Sequence, residues 1–149
     1  MDDPSDALVK LNGRCTLSKL SLTELVARRA DDYSDEQLTE GVQASPAFSL
    51  QTDLRDDHGG FSLGLRVQVD FSVGEVSASA VGEYQTEQAL AVSDELVLEY
   101  ANHVGVMTLI PFLRQAVADL TQRVFDAPLL MPIFARGELW FSETSSSRR

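Results

Sequence analysis

A few short stretches of the 149-residue chain carry residue types that could do chemistry. Asp53, Asp56, Asp57 and His58 crowd into the run DLRDDH, the composition of a metal site or of a working carboxylate pair. The run lies between two apolar stretches and closes in Gly59-Gly60, so it reads as a solvated hairpin tip instead. Cys15 is the one thiol, with no partner for an intramolecular disulfide and no second sulfur for a zinc knuckle. It sits in an alternating stretch far in sequence from both histidines and reads as a small core residue rather than a nucleophile. His103 falls near the end of a helical pattern, where a cation favours the negative end of the helix dipole. Gly59, Gly60 and Gly64 form no phosphate cradle, because a strand follows them and not a helix N-terminus. The expectation is a protein with no catalytic residues, no metal, no cofactor and no enzymatic activity.

The elements around these residues are more informative. Phe61, Leu63, Leu65, Val67, Val69, Phe71 and Val73 alternate with Ser62, Gly64, Arg66, Gln68, Asp70 and Ser72, the period-two pattern of a strand with one apolar face. Gly74-Glu75 reads as the turn after it, and VSASAVGEYQTEQALAV as the partner strand, its small residues suited to close packing under a helix. Upstream, RCTLSKLSLTELVAR alternates with a phase slip, Cys15 and Leu17 on odd positions and Leu20 and Leu22 on even ones. A β-bulge near Ser18 to Lys19 restores the face. PAFSLQTDLR, with Phe48, Leu50 and Leu54, supplies a further strand.

ALVKLNG reads as a short helix ended by Gly13, and Ala30 to Ser45 as a long acidic surface connection. After the strands the period changes. Ser93 with Asp94 and Glu95 is an N-cap with carboxylates in the first turn, and the helix it opens is expected to stop near Gly105. Leu109, Leu113, Ala116, Val117, Leu120 and Val124 then fall at helical spacing. Because a proline is tolerated in the first turn of a helix, this longer helix is expected to start within a residue or two of Pro111. Pro128 and Pro132 keep Leu129, Leu130, Met131, Ile133 and Phe134 out of regular structure, and a short amphipathic turn around Arg136 to Phe141, carrying Trp140, ends the ordered chain.

The fold class expected is α+β: a four-stranded antiparallel sheet with a long helix and a shorter C-terminal helix packed on one side. The whole chain, 1–149, reads as one domain, with the residues at about 1–7 and 142–149 as disordered tails. No run is seen as approaching the ~20 apolar residues of a membrane helix, and no secretory leader is legible, so no membrane insertion and a cytoplasmic location are expected. A net charge of −11 repels phosphate backbones and anionic lipid, which excludes nucleic acid and favours basic or apolar polypeptides as partners.

The order of these elements and several local words resemble the SecB export-chaperone family. Leu65-Arg66-Val67-Gln68-Val69 is similar to that family's sheet word, Leu109-Ile110-Pro111-Phe112-Leu113-Arg114-Gln115 to the stretch opening its long helix, and Pro128-Leu129-Leu130-Met131-Pro132-Ile133-Phe134 to its proline-containing loop. The likeness covers about Cys15 to Trp140. It implies an ATP-independent holdase, a homotetramer built as a dimer of dimers, that binds unfolded or nascent polypeptides in apolar grooves between sheet and helices. On that likeness Phe48 and Leu50 would supply a groove floor, and Leu129, Met131, Ile133, Phe134 and Trp140 its wall.

The chain also departs from the family. Members that dock on the SecA motor carry an acidic pair at four-residue spacing on the first strand; the matching positions are Leu20 and Glu24, so one carboxylate is missing. The acidic word near the third and fourth strands appears as Ala80-Val81-Gly82, with Glu83 displaced by one residue. Glu24 and Glu83 are thus the residual candidates for SecA docking. SecB-like proteins dedicated to an antitoxin are the other possibility, and the rival from another class is a small-ligand-binding or adaptor domain with one fixed partner.

Overall fold

The computed structural model describes residues 4–33, 46–55, 59–87, 92–131, 134–135 and 137–144. In chain order they form helix α1 (Pro4–Arg14), strands β1 (Cys15–Arg29), β2 (Pro46–Leu54), β3 (Gly60–Phe71) and β4 (Gly74–Thr86), helix α2 (Asp94–Tyr100), a π-helical turn (Ala101–Gly105) and helix α3 (Val106–Phe125). The strands make one antiparallel sheet in the order β1-β4-β3-β2, and the helices cover one of its faces.

The alternation on β3 does what its period requires. Phe61, Leu63, Leu65, Val67 and Val69 all point at the helices and are buried to within 1% of complete. Each contributes roughly 1.5–3 kcal/mol through removal from water. Arg66, Gln68 and Asp70 point the other way and join in a row of side-chain hydrogen bonds, Arg66 to Gln68 (2.9 Å) and Gln68 to Asp70 (2.9 Å). On β4 the inward positions are Ala78, Ala80 and Gly82, small enough for α3 to lie close, and a Cβ on Gly82 would touch Leu109 and press on Leu17 and Tyr84.

Strand β1 keeps its apolar residues on the helix side by changing phase twice. Its register against β4 shifts between Leu17 and Lys19, where a bulge was expected, and again between Leu22 and Glu24. Leu17, Leu20, Leu22, Leu25 and Ala27 therefore lie opposite Tyr84, Gly82, Ala80, Ala78 and Val76, all on the helix face. The turn between β3 and β4 is Ser72-Val73, earlier than the expected Gly74-Glu75. Gly74 belongs to the strand, with φ +154°, and a Cβ built on it would collide with the Arg28 carbonyl and the Phe125 ring, so a side chain there has no room.

Two expected helix boundaries are corrected. The helical run is continuous over 32 residues, Asp94–Phe125, and neither stops at Gly105 nor starts near Pro111. Gly105 has an ordinary helical φ of −63°, and a Cβ on it would collide with Leu63. Its role is close approach of helix to sheet, not termination. Pro111 sits inside α3 on the exposed side, where the loss of one helical hydrogen bond, about 3 kcal/mol, is offset by the burial of Leu109, Ile110 and Leu113 across the helix. The N-cap held: Ser93 Oγ accepts from the Leu96 N–H at 3.1 Å. The far end is closed by Asp126 in the left-handed region (φ 59°), with the Arg29 Nε donating to the Val124 carbonyl and the Tyr33 hydroxyl to the Phe125 carbonyl.

Helix α1 starts at Pro4, inside the stretch read as a tail, and passes through Gly13, because Leu11 is buried in the core beside α2. Where a shorter C-terminal helix was expected, the described residues carry a turn, Glu138 N–H to the Ala135 carbonyl at 3.0 Å. The expected acidic connection lies outside the described residues beyond Tyr33, as do Asp56, Asp57 and His58 of the hairpin tip and the residues after Thr144.

Candidate functional site

Phe48 is an inward residue of the edge strand β2, opposite Val67, and is partly buried against the core. Phe134 covers it edge-on, ring centroids 5.5 Å apart at 88°. Proline-rich composition alone could not have located this contact. The segment after Pro128 thus folds back along the helix side of the sheet toward β2.

That segment is tied down at several points. Leu129 donates its N–H to Thr121 Oγ1 at 2.7 Å, while the same buried hydroxyl donates to the Val117 carbonyl at 2.7 Å. Farther on, Phe141 exchanges two hydrogen bonds with the side chain of Asn102: Nδ2 donates to the Phe141 carbonyl and the Phe141 N–H donates to Oδ1, each 2.8 Å. Asn102 is 3% exposed and stands in the π-helical turn. Trp140 lies edge-on to His103, centroids 5.2 Å apart, and keeps half of its surface in solvent. His103 therefore contacts an aromatic ring rather than serving the helix dipole alone.

The expected groove residues separate into two kinds. Leu50 and Met131, expected as floor and wall, are buried in the chain's own core. Phe48, Leu129 and Phe134 are partly covered, and Trp140 is exposed. Ile133 lies outside the described residues. Leu130, 77% exposed, is a large apolar side chain in the same segment that the sequence reading had not singled out as a contact residue. Asn102 was missed altogether, since a polar residue within a helical pattern gives no sign of a partner 39 positions later.

A second apolar surface lies at the opposite margin. Leu17, Leu22 and Leu25 on β1 are 38–49% exposed although they face the same way as the buried residues of β3, and Phe112 on α3 is comparably open. β1 is an edge strand of 15 residues, so its outer backbone row has no partner strand among the described residues.

The outer sheet face is polar. Glu24 accepts from Arg66 Nε at 3.2 Å and from Ser77 Oγ at 3.1 Å, and Glu83 lies farther along the same face, opposite Lys19. Leu20, which stands where a second carboxylate was looked for, points to the helix side; the bulge before Glu24 puts the two residues on opposite faces.

Cys15 meets Tyr84 and Tyr100 near the N-terminal end of β1, with Phe61 stacked on Tyr84 at 4.9 Å. Burial raises the Cys15 thiol above its ordinary value, against a hydrogen bond with Tyr100 that lowers it. Burial likewise pushes both tyrosines up, Tyr100 the more strongly, with the neighbouring Cys15 adding to it. An acid held in its neutral form is a poor nucleophile, so the cluster acts as core. Among the described residues no group of three or more His, Cys, Asp or Glu side chains gathers to hold a metal ion.

No family model matches the chain. It is 28% identical over 139 residues to the SecB-like chaperone SmegB of Mycolicibacterium smegmatis, an alignment spanning 93% of this chain and 88% of the relative. The fold matches the Mycobacterium tuberculosis Rv1957 SecB-like chaperone, solved in complex with a ChAD peptide from the Rv1956 HigA1 antitoxin. The TM-score is 0.73, with 18% identity over 88% of this chain and 98% of that one. The chain is thus similar in sequence to one SecB-like chaperone and shares the fold of another. The SecB-like arrangement seen here is the expected α+β one, a four-stranded antiparallel sheet with a long helix toward the C-terminus.

One feature of this SecB-like chain corrects the reading of its hydropathy. The run Asp94–Phe125 is long and apolar enough, by length and composition, to cross a membrane. Dividing it at Gly105 and Pro111 hid that. Half of its apolar window is buried inside the protein, as in the core helix of an α+β domain.

Proposed function

We propose that this protein is an ATP-independent holdase that keeps an unfolded polypeptide from aggregating, with a dedicated antitoxin as its client. The likeness to SmegB over nearly the whole chain carries the proposal, and the fold of a chaperone solved with an antitoxin peptide supports it. The client lies along the β2 margin, against Phe48, Leu129, Phe134, Trp140 and the exposed Leu130, in the cytoplasm. Binding there needs no nucleotide and no catalytic group, only apolar contact area and backbone hydrogen bonds.

The Glu24–Arg66 ion pair favours the antitoxin over SecA docking. A carboxylate already matched by a guanidinium presents no net charge to a motor, and Leu20 is turned away from it. Glu83 alone is left to dock SecA.

Association into a dimer of dimers would cover the leucines of β1 and Phe112, which one chain leaves in water. Light scattering then gives the mass of four 16.3 kDa chains. The deciding experiment is suppression of aggregation of a chemically unfolded client without ATP, together with co-purification from the native host. One dominant co-purified antitoxin fits the proposal, many precursors with SecA fit export, and no suppression at molar excess rejects a holdase.

A further inference from the structure

We infer that Asn102 is a latch, whose side chain holds the closing segment down over Phe48 so that its release opens the client surface. The inference rests on the holdase reading of that surface. A buried amide is costly unless both of its ends are hydrogen-bonded. Asn102 meets that need with the backbone of one residue, Phe141, at 2.8 Å for each bond. This is the pattern by which one strand pairs with another, here supplied by a side chain.

The π-helical turn makes the latch possible. Val106 donates its N–H to the Ala101 carbonyl, a five-residue step, so the turn admits one extra residue and Ala101, Asn102 and Gly105 are all buried. An apolar residue at position 102 would leave the Phe141 N–H and carbonyl without these two bonds. Asparagine is satisfied both by Phe141 and by water, which gives the closed and open segment comparable partners. The remaining fastenings are partial: Leu129 on the Thr121 hydroxyl, Trp140 on the edge of His103, Phe134 on Phe48, and the half-buried Leu139 and Phe141 side chains. Met131 is the buried apolar anchor of the described segment, while Leu130 and Trp140 remain exposed, so the end beyond Phe134 opens at lower cost than the sheet.

The test uses the full chain and Asn102→Leu, which removes both bonds while filling the volume. Loss of two hydrogen bonds, each about a factor of five, should speed hydrogen exchange at the Phe141 amide about tenfold or more. Emission of Trp140, the one tryptophan, should shift to the red, and capture of a reduced, unfolded α-lactalbumin probe should rise several-fold. The converse is Asn102→Cys with Phe141→Cys in a Cys15→Ala background, joined by a short bismaleimide; the joined form should capture less probe than the same protein unjoined. Unchanged exchange and emission in Asn102→Leu overturn the latch, as does equal capture by the joined and unjoined forms, which also decides the matter should Asn102→Leu misfold. Wild-type protein that captures no client under any condition rejects the holdase reading and the latch with it. A wild type that captures client but is indifferent to both manipulations rejects the latch alone.

Discussion

Strands β3 and β1 carry the same pattern on the same face of one sheet, and the structure treats them in opposite ways. On β3 the inward residues from Phe61 to Val69 are sealed under the helical run; on β1 Leu17, Leu22 and Leu25 stay open to solvent. The helical run packs on β4, β1 and β3 through α3 and on β2 through α2, yet a helix about 10 Å wide cannot seal four strands spaced near 4.8 Å, so a margin on each side stays partly open. The two margins then differ in turn. β2 has Phe134 of the closing segment laid over Phe48, and on β1 Leu22 and Leu25 keep nearly half of their surface in solvent. Apolar residues in one pattern thus form a core, a covered margin and a partly open edge.

The largest effect expected from breaking the contrast is at the centre. Leu65→Ala leaves a cavity in a site that cannot collapse and should cost about 2–5 kcal/mol by urea denaturation. Gly105→Val, which drives a branched side chain into Leu63, follows at about 1–3 kcal/mol or somewhat more, again in urea. Next comes alkaline pH. Cys15, Tyr84 and Tyr100 all have folded-state values raised above the unfolded ones, so their contribution is complete below about pH 8, where the unfolded groups are still protonated. It is lost as pH rises from there toward the folded values. The melting temperature should fall between about pH 9 and 11, and Tyr100→Phe should flatten that fall. The smallest effect on folding is at the edge: Leu22→Ser with Leu25→Ser should shift stability by about 0.5 kcal/mol per site, yet lower the mass seen by light scattering. A loss at β1 as large as at Leu65, or an unchanged mass, would erase the distinction between core and edge.

The first bulge of β1 was legible because Leu17 and Leu20 break the alternation in a short span. The second was not, since Thr23 is itself a good strand residue and the return to odd positions at Leu25 looks like ordinary variation. Ser93 announced its cap, as the oxygen that accepts the Leu96 N–H lies only three residues away. Gly105 and Pro111 misled for a common reason: both are local signs of helix ends, and here contact with Leu63 and the burial of Leu109 and Leu113 outweigh them. The candidate site was half legible. Phe48 and the segment after Pro128 could be named, but not that Phe134 would lie on Phe48, that Leu50 and Met131 would be core, or that Asn102 would hold Phe141.

Periodicity by itself determined which residues form strands and helix and which face of each is apolar, because those properties repeat over two to four residues. What covers each apolar face was decided only in three dimensions. Cover depends on how wide the helix is, how closely glycines let it approach, and where a segment 39 residues on is tied back, and none of these distances is written in local spacing.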